Sequence, residues 1–244
     1  MISKQKIKFI SSLRLLKYRL QHNCFVAEGE NVIGSFLEEN FDLNSFFSVN
    51  AVLNFNQNFA FEIITHAELN KISSFKNPID MLAVFKIPKR ILDLNTVMQQ
   101  KRIIILDSIS DPGNLGSIIR TADWFGIKSI YLSKNCVDIF NSKVVQATMG
   151  SLARVKVYNV ELINFLEIIK KNNIMCYGAS LTGSNIYSFQ KPNQCALIFG
   201  NEAHGISEKI HSFLDNQLLI PSNNNMIDSL NVAVAFGIIL SEFR

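Results

Sequence analysis

Apolar positions recur along this chain with periods that change from one stretch to the next. Between Ile2 and Tyr18 they fall at Ile7, Ile10, Leu13 and Leu16 with lysines between, a spacing that predicts one helix. Short apolar runs then predict strands at Cys24–Ala27, Phe46–Val49, Phe61–Thr65 and Met81–Lys86, with helices at Asn31–Glu39 and Ala67–Ile72. Together these make an alternating α/β unit of roughly ninety residues, a usual size for a small domain. From Ile87 to Gln100 the pattern lapses: Pro88 and a basic pair are followed by polar residues. The expected division is a domain over residues 1–93, a linker over 94–100 and a second domain over 101–244.

Past Lys101 the alternation is cleaner. Strands are predicted at Ile103–Leu106, Ser129–Leu132, Arg154–Val157, Ile174–Ala179, Ala196–Phe199 and Gln217–Ile220. Helices are predicted at Leu115–Phe125, Ser142–Met149, Leu162–Lys171 and Leu230–Phe243. Strands that are apolar almost throughout, separated by helices, imply an α/β fold with a mostly parallel sheet covered on both faces. The last helix is apolar nearly all round (Leu230, Val232, Val234, Phe236, Ile238, Ile239), so it belongs between layers or in a subunit interface. A short polar loop, Asn223-Asn224-Asn225, precedes it.

Composition changes this picture only locally. The 244 residues are 48% hydrophobic, enough for a sizeable core, and the net charge of +4 is too small to name a partner. Its distribution says more: residues 1–22 hold Lys4, Lys6, Lys8, Arg14, Lys17 and Arg19 and no acid. Such a basic face either meets phosphates or is simply solvated. Cys24, Cys136, Cys176 and Cys195 form no C-x-x-C pair, and the four histidines follow no metal-binding spacing. No metal is expected. The apolar run Val232–Leu240 is too short to span a bilayer and no secretory leader is evident, so a cytoplasmic protein is expected.

Chemistry is concentrated in three stretches that follow predicted strands, where ligands bind in open α/β sheets. The first is DSISDPGNLGSIIRTADWFG, Asp107–Gly126, a turn and a helix. Asn114 is placed to cap that helix, Gly126 to end it, and Arg120 to share a face with Gly116, four residues earlier. A fixed cation beside a residue without bulk suits a phosphate or an anionic oxygen, although an ordinary surface arginine reads the same way. The second is ALIFGNEAHGIS, Ala196–Ser207, which puts Asn201 and Glu202 at a strand tip between Gly200 and Gly205. The third is LLIPSNNNMIDSLNVAVAFGII, Leu218–Ile239, with Ser229 and Asn231 as its polar groups. Neither G-x-G-x-x-G nor a P-loop nor G-x-S-x-G occurs.

Taken in order, DPGNLGSIIRTADWFG, FGNEAHGI and IPSNNNMIDSLNVAVA resemble the three motifs of the SpoU (TrmH-like) branch of the SPOUT RNA methyltransferases. QATMGSLARVKV looks like the segment that family carries between motifs one and two, and FVAEGENVIGSFLEE looks like part of its L30e-like substrate-binding domain. Ala233 stands where many relatives have serine, and Ala203-His204 is a variable pair.

The resemblance implies a deep trefoil knot in the C-terminal domain, an obligate homodimer and S-adenosylmethionine as cofactor. It assigns cofactor contacts to Gly200, Ile220, Leu230 and Ser229, with the Gly178–Leu181 loop as a further candidate. The implied reaction is methyl transfer to a ribose 2′-hydroxyl of RNA. Arg120 is its main catalytic residue, and Asn114, Glu202, Ser229 and Asn231 shape the site. The family's arginine is sometimes proposed as the base; a guanidinium stays protonated and has no acceptor, so stabilising the developing alkoxide or clamping the adjacent phosphate fits it better. Ribosomal RNA of the large subunit is favoured as substrate. The alternatives are a tRNA 2′-O-methyltransferase and a non-catalytic RNA-binding or ribosome-assembly factor on the same fold.

Overall fold

The computed structural model describes residues 2–51, 55, 59–224, 226 and 228–244, so Asn225 of the polar loop lies outside the described residues. The chain forms two compact units, Met1–Lys89 with Asp138–Arg154, and Arg90–Val137 with Val155–Arg244.

In chain order the first unit starts with α1 (Lys4–Ser12), α2 (Leu16–His22), β1 (Cys24–Glu28), α3 (Glu30–Glu38), β2 (Leu43–Ser48), β3 (Glu62–Ile63), α4 (His66–Ile72) and β4 (Met81–Lys86). The second begins with α5 (Leu94–Met98), β5 (Arg102–Leu106), α6 (Pro112–Trp124) and β6 (Ser129–Leu132). The chain then supplies α7 (Ser142–Ala147) and α8 (Ser151–Arg154) to the first unit. It returns through β7 (Lys156–Asn159), α9 (Leu162–Lys171), β8 (Met175–Ser180), β9 (Ser184–Asn185), β10 (Cys195–Phe199), α10 (Glu208–His211), β11 (Asn216–Leu219) and α11 (Val232–Glu242).

In the first unit β4 lies between β1 and β2, antiparallel to both, and β3 adds a short parallel edge. The predicted single helix over residues 2–18 is two helices. Its periodicity runs through Leu13–Leu15, but the chain breaks there because Arg19 takes the freed carbonyls. Arg19 is 3% exposed and donates from Nη1 to the oxygens of Leu13 at 2.7 Å and Arg14 at 2.9 Å. Its Nε and Nη2 reach Asp138 Oδ2 at 2.8 and 2.7 Å.

That ion pair fastens residues 138–154 to this unit, although they lie in the sequence span expected to form the second domain. Phe140 packs on Phe25 with ring centroids 4.6 Å apart, and Gly150, at φ +92°, lies against Ser35 with no room for a side chain. Asp138→Ala would strand a buried guanidinium. Urea denaturation should show a loss of about 3–5 kcal/mol, as for other broken buried pairs. A double replacement, Arg19→Met with Asp138→Ala, should cost less than the single variant. Equal costs would show that Asp138 is not holding Arg19.

The second unit is a seven-stranded sheet in the order β7-β6-β5-β10-β8-β11-β9, and every pairing is parallel. Strands β5, β6 and β7 step to one side. The later strands fill the other side, starting with β10 beside β5. The topology therefore reverses between β5 and β10, where the crevice of an open parallel sheet forms at the carboxyl ends of the strands. On one face, Ile103, Ile105, Ala196 and Ile198 pack with Phe165, Leu166 and Ile169 of α9, all nearly sealed from solvent.

The segment expected to be a linker carries α5, capped by Asp93 Oδ1 on the Asn95 amide at 3.0 Å. Cys176 and Cys195 lie on neighbouring strands of the core. Burial pushes their thiols up to about 12 and about 11, so both are neutral packing groups. Among the described residues, no helix is long and apolar enough to cross a membrane.

Candidate active site at the strand tips of the second unit

Helix α6 starts directly beyond β5. Its cap is Asp111, whose Oδ1 accepts from the Asn114 amide at 2.8 Å, with Pro112 at the first helical position. Asn114, the cap expected from the sequence, is not the capping residue. Proline prefers the first helical position, so the helix starts three residues earlier than its apolar period shows. Asn114 is thereby inside the first turn, with its side chain free for another partner. At the other end Gly126, at φ +75°, donates to Asp123 and Ile127 donates to Ala122, so the helix ends where expected.

The side chain of Asn114 joins the other two motifs. Asn114 Nδ2 donates to Glu202 Oε1 at 3.0 Å, and Asn231 Nδ2 donates to Asn114 Oδ1 at 2.8 Å. Asn231 Oδ1 in turn accepts from the Ala233 and Val234 amides, at 2.9 and 3.3 Å, and so caps α11. The direction of this chain is forced. Helix N–H groups can only donate and a carboxylate can only accept, so each amide between them has one admissible orientation. Glu202 is also met by the Asp111 amide at 3.3 Å and by the Ser110 hydroxyl at 3.2 Å. Burial alone would raise its carboxyl. Hydrogen bonds from Asn114 and from nearby backbone amides outweigh that, holding the group below the ordinary carboxylate range.

The loop that carries Glu202 is itself fixed. Asn201 and Gly205 exchange backbone hydrogen bonds at 2.8 and 2.9 Å, and Gly205 takes φ +68°. Asn201 Nδ2 reaches across to the carbonyl of Ser108 at 2.8 Å. Ser108 holds a left-handed conformation, φ 61°, with its amide on Ser133 Oγ at 2.8 Å. The carboxylate of Asp107, 4% exposed, accepts from the Ser207 amide at 2.9 Å. Asp107, Ser108 and Ser110 were not singled out from sequence. Their only signal there was their place, in a polar string directly after a buried strand.

The remaining expected residues do not join this chain. Arg120 is exposed on α6, six residues beyond Asn114, and its side chain makes no hydrogen bond or ion pair with any described residue. Gly200 is buried at the tip of β10, and a side chain there would collide with the backbone of Gly205 and Ile206. Ile220 follows β11 and is half-buried, while Ser229 and Leu230 are exposed just before the Asn231 cap. Gly200, Ile220, Ser229 and Leu230 border the same carboxyl edge of the sheet. They offer a bare backbone, two aliphatic side chains and a hydroxyl, a donor set suited to a small ligand with an apolar body and a few polar edges. Among the described residues, no group of three or more His, Cys, Asp or Glu is placed to hold a metal ion.

Residues 101–241 match the model of the SpoU rRNA Methylase family. The chain belongs to that family. Residues 4–83 match the MRM3-like substrate binding domain. Among SpoU relatives, the 23S rRNA (guanosine(2553)-2′-O)-methyltransferase RlmP of Bacillus subtilis is 26% identical, over 98% of this chain and 96% of its own. A TrmH-family protein of Porphyromonas gingivalis is 33% identical, with a TM-score of 0.87 over 100% of this chain and 98% of its own. An AdoMet-bound rRNA methyltransferase of Sinorhizobium meliloti is 25% identical, with a TM-score of 0.86 over 100% and 95% of the two chains. The α/β architecture with a mostly parallel seven-stranded sheet over the SpoU-matched residues agrees with expectation.

The Glu202–Asn114–Asn231 chain also sets a pH prediction. Glu202 has a folded-state value below its ordinary 4.5, so its stabilisation is present above 4.5 and is lost as pH falls through the lowered value. Glu202→Gln replaces an acceptor with an amide whose donors face other donors. Its urea midpoint should lie below that of the parent at neutral pH, and the gap should close on acidification. A gap independent of pH would show that the carboxylate charge plays no part.

Proposed function

We propose that this protein transfers a methyl group from S-adenosylmethionine to a ribose 2′-hydroxyl of ribosomal RNA. The observation that carries this reading is the hydrogen-bonded chain from Glu202 through Asn114 to Asn231, which unites all three motifs at the crevice between β5 and β10. Residues 1–93 serve as the RNA-binding domain and residues 101–244 as the catalytic one, a division supported by the separate family matches of the two parts.

Gly200, Ile220, Leu230 and Ser229 would hold the cofactor. When bound, it supplies a methyl already activated by a sulfonium, so the chain has to align the hydroxyl and stabilise the oxygen as its proton leaves. Arg120 supplies a permanent positive charge for that oxygen or for the adjoining phosphate. Glu202, held below the ordinary carboxylate range, is a poor proton acceptor and instead keeps the motif-one turn and the motif-two loop in register.

The same reading includes a trefoil knot in the catalytic domain, a cytoplasmic location alongside ribosome assembly, and a homodimer. Supporting the dimer, α6 and α11 pack together yet leave Trp124 86% and Val234 51% exposed. Trp124→Ala with Val234→Asp should therefore sediment as a monomer. An unchanged sedimentation coefficient would remove these helices from the interface.

The decisive experiment incubates purified protein with tritiated S-adenosylmethionine and transcribed ribosomal RNA, then looks for one nucleotide protected from alkaline cleavage. Label that appears only on a base, or on no ribosomal RNA, would overturn the reading.

A further inference from the structure

We propose that a cavity in the first unit takes one unpaired nucleobase of the RNA substrate. The RNA identity rests on the methyl-transfer reading above, whereas the cavity and its chemistry stand on their own. The cavity holds about 320 Å³ between α1, β2 and the residues that lead into β3. That is at the small end of pockets for low-molecular-weight ligands, about 300–1,000 Å³.

Its origin is a β-bulge. In the ladder with β4, Leu43 pairs with Phe85 and Ser45 with Val84, which leaves Asn44 without a partner residue. Bulges turn a side chain out of the regular alternation, and they are common next to binding sites. Here the bulged residue, Asn44, lines the cavity. Ser45 Oγ donates to Asn44 Oδ1 at 3.3 Å, and the Asn44 amide nitrogen has no acceptor among the described residues.

The remaining lining is aromatic and ionic. Phe46 and Phe61 lie with ring centroids 6.1 Å apart, and Phe9 of α1 also lines the cavity. Lys6 Nζ sits 6.0 Å from the Phe47 ring centroid and is paired with Glu62. The cavity therefore offers the half-buried rings of Phe9 and Phe61 for stacking, over a floor of the sealed Phe46 and Phe47, together with an amide, an ammonium and a carboxylate. That mixture of donors and acceptors matches the edge of an unstacked base. Lys6 is the cation that α1 brings to this cavity, and residues 1–22 contain no acid to oppose a phosphate beside it.

The test uses the full chain with Asn44→Ala and, separately, Phe61→Leu. Asn44 is exposed and Phe61 only half-buried, so neither change removes a sealed core residue. In each variant, Kd for transcribed large-subunit RNA by filter binding and KM for methyl transfer should both rise about tenfold, the range for losing a stacking ring in Phe61→Leu and a hydrogen bond to the base edge in Asn44→Ala. Neither kcat nor S-adenosylmethionine affinity should change. Independently, the ¹³C-methyl signal of Ile10, which lines the cavity, should shift with millimolar nucleoside monophosphates and stay put with inorganic phosphate. Unchanged RNA affinity in both variants, or an Ile10 signal indifferent to nucleotides, would overturn the inference. So would a variant that alters the sedimentation of the protein, since a second copy would then be the occupant. A wild-type protein that binds RNA but transfers no methyl would sink the catalytic reading while leaving RNA affinity and the Ile10 signal to judge the cavity.

Discussion

Arg120→Ala should bind S-adenosylmethionine with the parent's affinity and lose methyl transfer by about 10²–10³-fold, the range for removing one preorganised charge-stabilising group. The expectation follows from position as much as chemistry. Arg120 is exposed on α6 and pairs with no described side chain, so its loss should leave the melting temperature unchanged. Arg120→Lys keeps the charge but gives up the planar fork that grips two oxygens of a phosphate, so it should recover only part of the rate. A pH profile separates the two possible roles. A guanidinium that stabilises an oxyanion stays charged across the working range, so the Arg120→Ala defect should be the same at every pH between neutral and alkaline. A defect that shrinks as pH rises would mean that Arg120 assists deprotonation itself. Full activity in the alanine variant would reject any catalytic role.

Gly200→Ala should damage the fold of the site before it touches the chemistry. A methyl at this position would meet the carbonyl group of Gly205 and the amide nitrogen of Ile206, all nearer than the 3.0 Å that real Cβ atoms respect. These are backbone atoms of the closed loop that carries Glu202, and they cannot swing aside as a flexible side chain would. Relief requires opening the Asn201–Gly205 bridge, which in turn releases the Asn201 hydrogen bond to Ser108. Denaturant unfolding should show a loss of about 3 kcal/mol, the upper part of the usual range for overpacking. Calorimetry should show weakened S-adenosylmethionine binding. Gly205→Ala tests the same loop differently. Open space surrounds that position, so the only cost is the positive φ, and the loss should be smaller. Equal losses at the two glycines would show that backbone conformation, not close approach, governs the loop.

Much of this protein can be read from its sequence because most of its elements have one strongly apolar face. The strands Ser129–Leu132 and Met81–Lys86 and the helix Leu162–Lys171 occur with the expected boundaries. Elements without such a face were missed. Helix α5 is a single turn held by an aspartate cap, β9 is two polar residues, and α10 is four residues long. The single long helix expected at the N-terminus failed for another reason. Its period is real, but a buried arginine makes better use of the carbonyls at the break than another helical turn would.

What the sequence determined by itself is local: where the apolar runs lie, that Gly126 ends α6, and that three polar stretches follow buried strands. These depend on neighbours a few residues away, which periodicity and capping rules can sense. What only the tertiary structure decided is which distant groups meet. Asn114 finds Glu202 at 88 residues' separation and Asn231 at 117, and Asp138 crosses 119 residues to reach Arg19. Contacts of that span exist only once the order of the sheet has closed the loops between them. The ordering entropy is met by burial of the whole core, not by anything in the residues that touch.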